Sequence, residues 1–93
     1  MVYYVYILEC YINREFSCYY CGQTDNLEKR KGQHIRNVIF HYTKKFTGRF
    51  DYCKLIWYGE VQTRADAIRL EQYLKSLNQQ EKEEYMENYG EVY

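Results

Sequence analysis

Tyr3-Tyr4-Val5-Tyr6-Ile7-Leu8, then Cys18-Tyr19-Tyr20-Cys21-Gly22-Gln23-Thr24, then a helix carrying Arg30 and His34: this succession decides the fold. In the first segment Val5 and Ile7 face one way, and Tyr4, Tyr6 and Leu8 the other. Both sides are apolar or aromatic, the pattern of a strand covered on both faces. Tyr11 to Phe16 is a polar connection with Asn13 near its centre, suited to a hairpin loop, so the second strand runs antiparallel to the first. Alternation can place one tyrosine from each strand on a common face, and the helix can set a cation and an imidazole beside them.

Asp25 followed by Glu28 predicts an N-cap with a capping-box-like partner, and the helix runs to about Val38. Leu27, Arg30, Lys31 and His34 fall on one stripe, while Ile35, Val38 and Ile39 supply the buried side. Gly32 inside this helix costs about 1 kcal/mol relative to alanine, unless close packing or a ligand needs the missing side chain. Residues 40–52 have no clean period. Phe40, His41, Tyr42, Lys44, Lys45, Phe46, Arg49 and Phe50 interleave aromatics with cations, a composition of loops that meet nucleic acid. A surface loop anchored by Phe46 and Phe50 is the other reading.

Cys53 to Glu60 is the third strand. Thr63-Arg64-Ala65-Asp66 caps a helix whose apolar stripe is Ala67, Leu70, Leu74 and Leu77. Glu71 lies at the margin of that stripe, where a carboxylate either reaches solvent or is held half-buried, because burying it unpaired is costly. Asn78 and Glu81 open a short acidic helix with Tyr85, Met86 and Tyr89 inward, ending at Gly90. The order is β-β-α-β-α-α, an α/β (α+β) pattern.

The chain's 93 residues form a single domain, 1–93, with residues 78–93 its acidic C-terminal helix. The 13 tyrosines outnumber 4 phenylalanines and 1 tryptophan, so half-buried rings with polar tips supply much of the apolar area. No run of roughly 18 apolar residues spans a membrane, and no signal-peptide layout precedes Tyr3. An intracellular, cytoplasmic location follows, nucleoid-associated in a bacterium, with Cys10, Cys18, Cys21 and Cys53 reduced. The C-x-x-C spacing of Cys18 and Cys21 invites a zinc or redox reading. Positions three apart on a strand face opposite ways, however, so buried free thiols fit better.

Net charge is zero, yet residues 29–54 hold Lys29, Arg30, Lys31, Arg36, Lys44, Lys45, Arg49 and Lys54 against one acid, Asp51. Residues 71–93 are acidic. The basic middle can bind phosphates, or it is an ordinary solvated surface.

These residues resemble the GIY-YIG nuclease superfamily. The first signature tripeptide matches Tyr4-Val5-Tyr6, with tyrosine where glycine is usual. The second matches Tyr20-Cys21-Gly22, with cysteine where isoleucine is usual, followed by Gln23-Thr24. Arg30, His34, the segment from Thr47 to Lys54, Leu55 to Glu60, and a helix with internal Glu71 follow in the family's order. The resemblance covers about residues 2–77; the proline often found before the third strand is missing.

The resemblance implies a three-stranded antiparallel sheet flanked by helices and metal-dependent hydrolysis of DNA phosphodiesters. By the same carry-over, Tyr6 is the general base or the orienter of the attacking water. Tyr20 assists or hydrogen-bonds the scissile phosphate, Arg30 neutralises its developing charge, and His34 aids phosphate binding or proton transfer. Glu71 holds one Mg²⁺ or Mn²⁺. Lys31, Lys44, Lys45 and Arg49 are the candidate DNA-binding cations. A tyrosine near pKa 10 is a poor base at neutral pH unless cations lower it, which makes Arg30 important. Taken singly, each residue has a plainer reading: strand tyrosines, a solvated arginine, a surface histidine, and Glu71 pairing with Lys75 at i+4.

The expected function is a DNA endonuclease that targets DNA alone, as a homodimer, or through a partner protein. A catalytically weak DNA-binding module and an accessory subunit docking through the acidic helix are the alternatives. Repair and mobile-element roles, among others, use this fold, so fold alone does not choose a pathway.

Overall fold

In a computed structural model, residues 2–32 and 50–93 are described. They form β1 (Tyr3–Ile12), β2 (Glu15–Thr24), α1 (described over 27–32), β3 (Tyr52–Val61), α2 (Arg64–Ser76), α3 (Gln79–Asn88) and β4 (Glu91–Val92). Among the described residues the sheet has four strands in the order β2-β1-β3-β4, every neighbouring pair antiparallel. The α+β class and the element order through α3 agree with the sequence reading; the strand number is corrected from three to four. β4 was invisible because two residues carry no periodicity.

The hairpin is tighter than the polar stretch from Tyr11 to Phe16 suggests. β1 and β2 continue to Ile12 and from Glu15, leaving Asn13 and Arg14 with φ of 53° and 68°. Two successive positive φ values belong to the turn whose twist matches antiparallel strands, and asparagine tolerates them well. The backbone amide of Asn13 donates to the Asp51 carboxylate and that of Asp51 to the Tyr11 carbonyl, fixing the turn against the start of β3. A register shift between Cys10 and Tyr11 and another between Ile7 and Leu8 bend β1 against its two partners.

Both faces of β1 are covered, as its apolar pattern requires. On one face Val5, Ile7, Cys21 and Trp57 pack with Ala67 and Leu74 of α2, flanked by Tyr85 and Met86 of α3. On the other, Tyr6, Leu8, Cys10 and Leu55 pack with Phe50, flanked by Leu27 of α1. Cys18 and Cys21 therefore lie on opposite faces, which removes the C-x-x-C pair as a joint ligand set.

Capping follows local chemistry. Thr63 accepts from the Asp66 amide, and Asn78 and Glu81 form a reciprocal capping box. At α1 the cap is Asn26 rather than Asp25. Its Oδ1 accepts from the Lys29 amide at 3.0 Å, while the Thr24 hydroxyl accepts from the Asn26 amide. Adjacent Asp and Asn compete for one cap position, and Thr24 decides it by holding Asn26.

α3 ends at the C-cap Tyr89, and Gly90, at φ 68°, turns the chain into β4. Tyr89 is 61% exposed, not inward; its carbonyl instead accepts the Trp57 indole N–H at 2.7 Å. No described helix is long and apolar enough to cross a membrane.

Candidate active site

Tyr6 lies in the middle of β1, 1% exposed, directly across from Gly22 of β2. A Cβ at Gly22 would run into the Tyr6 hydroxyl and its Cζ, so this glycine exists to let the phenol lie over β2. Tyr20 is two residues before Gly22 and therefore shares Tyr6's face, with ring centroids 6.4 Å apart. The first turn of α1 aims Arg30 at the pair, and its Nε donates to the Tyr6 hydroxyl at 3.2 Å. Two tyrosines and an arginine from three elements thus converge.

The Tyr6 phenol is pushed up to about 12. Burial is the main cause; the Arg30 hydrogen bond and charge pull the other way, and Tyr20 and Glu71 raise it further. Arg30 does pull this phenol down, as expected, but desolvation outweighs the guanidinium and the net shift is upward. Tyr6 keeps its proton at neutral pH, so it can orient a ligand by hydrogen bonding. Arg30 is held more firmly protonated, chiefly through its bond to Tyr6.

Glu71 approaches from α2, on the opposite side of the sheet. Its Oε2 accepts from Gln23 Nε2 at 3.1 Å, and its Oε1 lies 2.9 Å from Lys75 Nζ. Gln23 follows Gly22 on β2, the edge strand, and pairs with Val5, so it faces α2 while Gly22 supports Tyr6. The carboxylate is therefore held near the β2 edge, with its side chain 16% exposed and its charge acting on Tyr6. The i+4 pairing with Lys75 is present alongside this placement. Lys75 is in turn raised, mainly by its bond to Glu71.

Sequence reasoning did not give Gln23 a role, yet its side chain joins Lys75 in fixing the carboxylate. Its Oε1 is buried and has no hydrogen-bond partner among the described residues. The signal was its position between the motif glycine and Thr24, where a strand residue must face away from Tyr6. Among the described residues no three His, Cys, Asp or Glu side chains converge to hold a metal.

Lys31 is engaged by Tyr93: its Nζ is 4.6 Å from the ring centroid and 3.4 Å from the hydroxyl. Tyr93 also donates to Glu28 and stacks edge-on against Tyr58. Beside them is a cleft of about 510 Å³ lined by Tyr4, Leu27, Tyr58 and Tyr93; Asp25 and Glu28 line it too and make it a poor seat for phosphate. His34, His41, Lys44, Lys45 and Arg49 lie outside the described residues.

The strand–strand–helix arrangement with paired tyrosines and an arginine is that of a nuclease domain class. The GIY-YIG catalytic domain model matches residues 2–85, and the chain belongs to the GIY-YIG family, a family whose domain implies nuclease activity in general. The match runs past residue 77, where the motif resemblance stops, into α3. The chain is 31% identical over 88 residues to a UPF0213 protein of Limosilactobacillus reuteri, spanning 95% of this chain and 85% of that one. It is 35% identical over 89 residues to a UPF0213 protein of Bacillus cereus, spanning 95% and 82%. A UPF0213 protein of Listeria welshimeri is 31% identical over 81 residues, spanning 87% and 81%. No solved structure matches the chain.

Proposed function

We propose that the protein is a DNA endonuclease that hydrolyses phosphodiester bonds with the help of one divalent metal ion. The observation that carries this reading is the Arg30–Tyr6 hydrogen bond, made beside Tyr20 on a phenol that also feels the Glu71 charge. Arg30 binds and neutralises a phosphoryl oxygen, since a guanidinium stays charged and matches phosphate geometry. Tyr6, keeping its proton, orients the phosphate or the attacking water by hydrogen bonding, and Tyr20 supports it from the next strand. His34, four positions after Arg30 in the sequence, would add a proton-handling group. Lys31, Lys44, Lys45 and Arg49 would hold the DNA backbone, a contribution that falls with salt.

The Glu71 carboxylate is a hard donor suited to Mg²⁺ or Mn²⁺, and Mg²⁺ keeps several waters while using one or two protein oxygens; the Gln23 amide, which now turns its Nε2 to Glu71, would have to turn over to add its Oε1. When bound, such an ion supplies Lewis-acid stabilisation of charge on the leaving oxygen. Lys75 occupies the same carboxylate as an internal cation and has to yield one oxygen. That competition supports a second reading, a DNA-binding module of the same fold in which Lys75 keeps Glu71 and catalysis is weak. DNA is the proposed partner in both; targeting would come from a second copy or a partner protein.

The experiment is a nicking assay on plasmid, flap and branched DNA with Mg²⁺ or Mn²⁺. Metal-dependent nicking that disappears in Arg30→Ala and Glu71→Ala is the expected result. Nicking that persists in both variants would refute the site, and salt-sensitive binding without cleavage would favour the binding module.

A further inference from the structure

Cys10 of β1 lies directly across from Cys18 of β2 and, on its other side, directly across from Cys53 of β3. Three thiols therefore form one row across three adjacent strands, on the face packed by Leu8 and Phe50. All are free cysteines. The Cys53 thiol donates to Cys10 Sγ at 3.5 Å, so these two sulfurs are already in contact. Directly opposed strand residues hold their Cβ atoms about 4.5–5.5 Å apart, and a disulfide needs about 3.5–4.5 Å, so at most a small local approach separates the two states.

We propose that Cys53 and Cys10 are a peroxide-reactive thiol pair that closes to a reversible disulfide. This site is independent of the nuclease reading. Cys10 is fully buried and Cys53 half-buried, so hydrogen peroxide reaches Cys53 first. The shared contact also makes the two sulfurs unequal: it lowers Cys53, while Cys10 is raised, because the proton they share stays on the buried sulfur once Cys53 ionises. The thiolate is the reactive form.

The Cys53 thiolate attacks one peroxide oxygen, the O–O bond breaks, and the departing hydroxide takes up the proton released from Cys53 as water. Cys53 is then a sulfenic acid. Cys10 attacks the Cys53 sulfur, the S–S bond forms, and the sulfenic hydroxyl leaves with the Cys10 proton as a second water. Two thiols are oxidised by two electrons in all, and peroxide is reduced to two waters. A dithiol reductant reverses the step by exchange. The closed loop would span β2, α1 and the basic segment, and tie β3 to β1 a few residues after Arg49.

The test treats the full-length chain with stoichiometric hydrogen peroxide near neutral pH, blocks remaining thiols under denaturing conditions, and maps peptides by mass spectrometry. The expected result is loss of two of the four thiols and a linked Cys10–Cys53 peptide that dithiothreitol releases. Cys21, whose thiol burial pushes up to about 11, is the internal control and should stay unmodified over the same period. In Cys10→Ser, checked for folding by circular dichroism, a dimedone-trappable sulfenic acid should accumulate on Cys53. A Cys10–Cys18 link, four intact thiols, or a Cys53 oxidised past sulfenic acid in the unsubstituted chain would each overturn the proposal. None of these outcomes bears on metal-dependent nicking.

Discussion

Gly22 and Tyr6 are one device seen from two strands. The ring of Tyr6 occupies the space a Cβ at Gly22 would fill, so the motif glycine is needed for a side-chain approach and not for a backbone angle. Gly22→Ala should destabilise the fold by about 1–3 kcal/mol through overpacking, measurable as a lower denaturant midpoint at unchanged slope. The same variant should lose most nuclease activity, because Tyr6 cannot shift without breaking its bond to Arg30. Tyr6 also sets a pH dependence. Its folded pKa is about 12 against an ordinary 10, so above pH 10 the unfolded chain releases this proton first and stability falls as pH rises toward 12. Below pH 10 that contribution is fully present. Tyr6→Phe should flatten the loss between pH 10 and 12 by about 2 kcal/mol, read from urea unfolding across that window, a flat difference counting against the buried-phenol assignment. Tyr19, also pushed up to about 12, contributes in the same direction and stays in both proteins.

At the scale of elements, what the sequence made legible was whatever depends on short-range pattern. The two-sided β1, the caps Thr63 and Asn78, and the i+4 pair of Glu71 with Lys75 are all local in sequence. The Asn26 cap, the Gln23–Glu71 bond and β4 were not legible, because each depends on a competitor or a partner elsewhere. Gln23 and Glu71 are separated by 48 residues, and only the edge position of β2 brings them together. Convergence of Tyr6, Tyr20 and Arg30 was readable because strand alternation and one helical turn fix it. The physical coupling within α2 leads to an expected outcome. Lys75→Met removes the internal cation from a carboxylate that remains held by Gln23. On the proposed metal role of Glu71, the Mg²⁺ concentration for half-maximal nicking should then fall, by up to about fivefold, since a half-exposed pair is worth no more than about 1 kcal/mol. Gln23→Leu should raise it. An Mg²⁺ titration of cleavage rate separates the two directions, and equal curves for all three proteins would remove Gln23 and Lys75 from the site.

At the scale of the whole molecule, the chain closes on itself through the single tryptophan. Trp57 sits on β3, 1% exposed, with its indole N–H on the Tyr89 carbonyl and the Tyr85 ring edge-on at 5.8 Å. Gly90 passes close over that indole, where a Cβ would collide with the ring, and its φ of 68° is unfavourable for any residue with a side chain. From there β4 pairs with β3, and the Tyr93 amide donates to the carbonyl of Ile56, the residue left over at the β1–β3 register shift. Tyr93 then contacts Tyr58, Lys31 and Glu28, so the C-terminal strand links α3, β3 and α1 across both faces of the sheet. The tightness of this closure is testable at Gly90. Gly90→Ala combines a left-handed backbone with a ring clash, and should cost about 2–6 kcal/mol by the sum of a strain cost and an overpacking cost. Because the chain has 1 tryptophan, its emission reports this contact directly. The variant should show a red-shifted maximum in the folded state and a lower unfolding midpoint, whereas Gly32→Ala, with open space at its Cβ, should leave both unchanged or raise the midpoint slightly. Emission in Gly90→Ala identical to the unsubstituted chain would mean that β4 is not fastened through Trp57, and that the fourth strand contributes little to holding α1 beside the tyrosines.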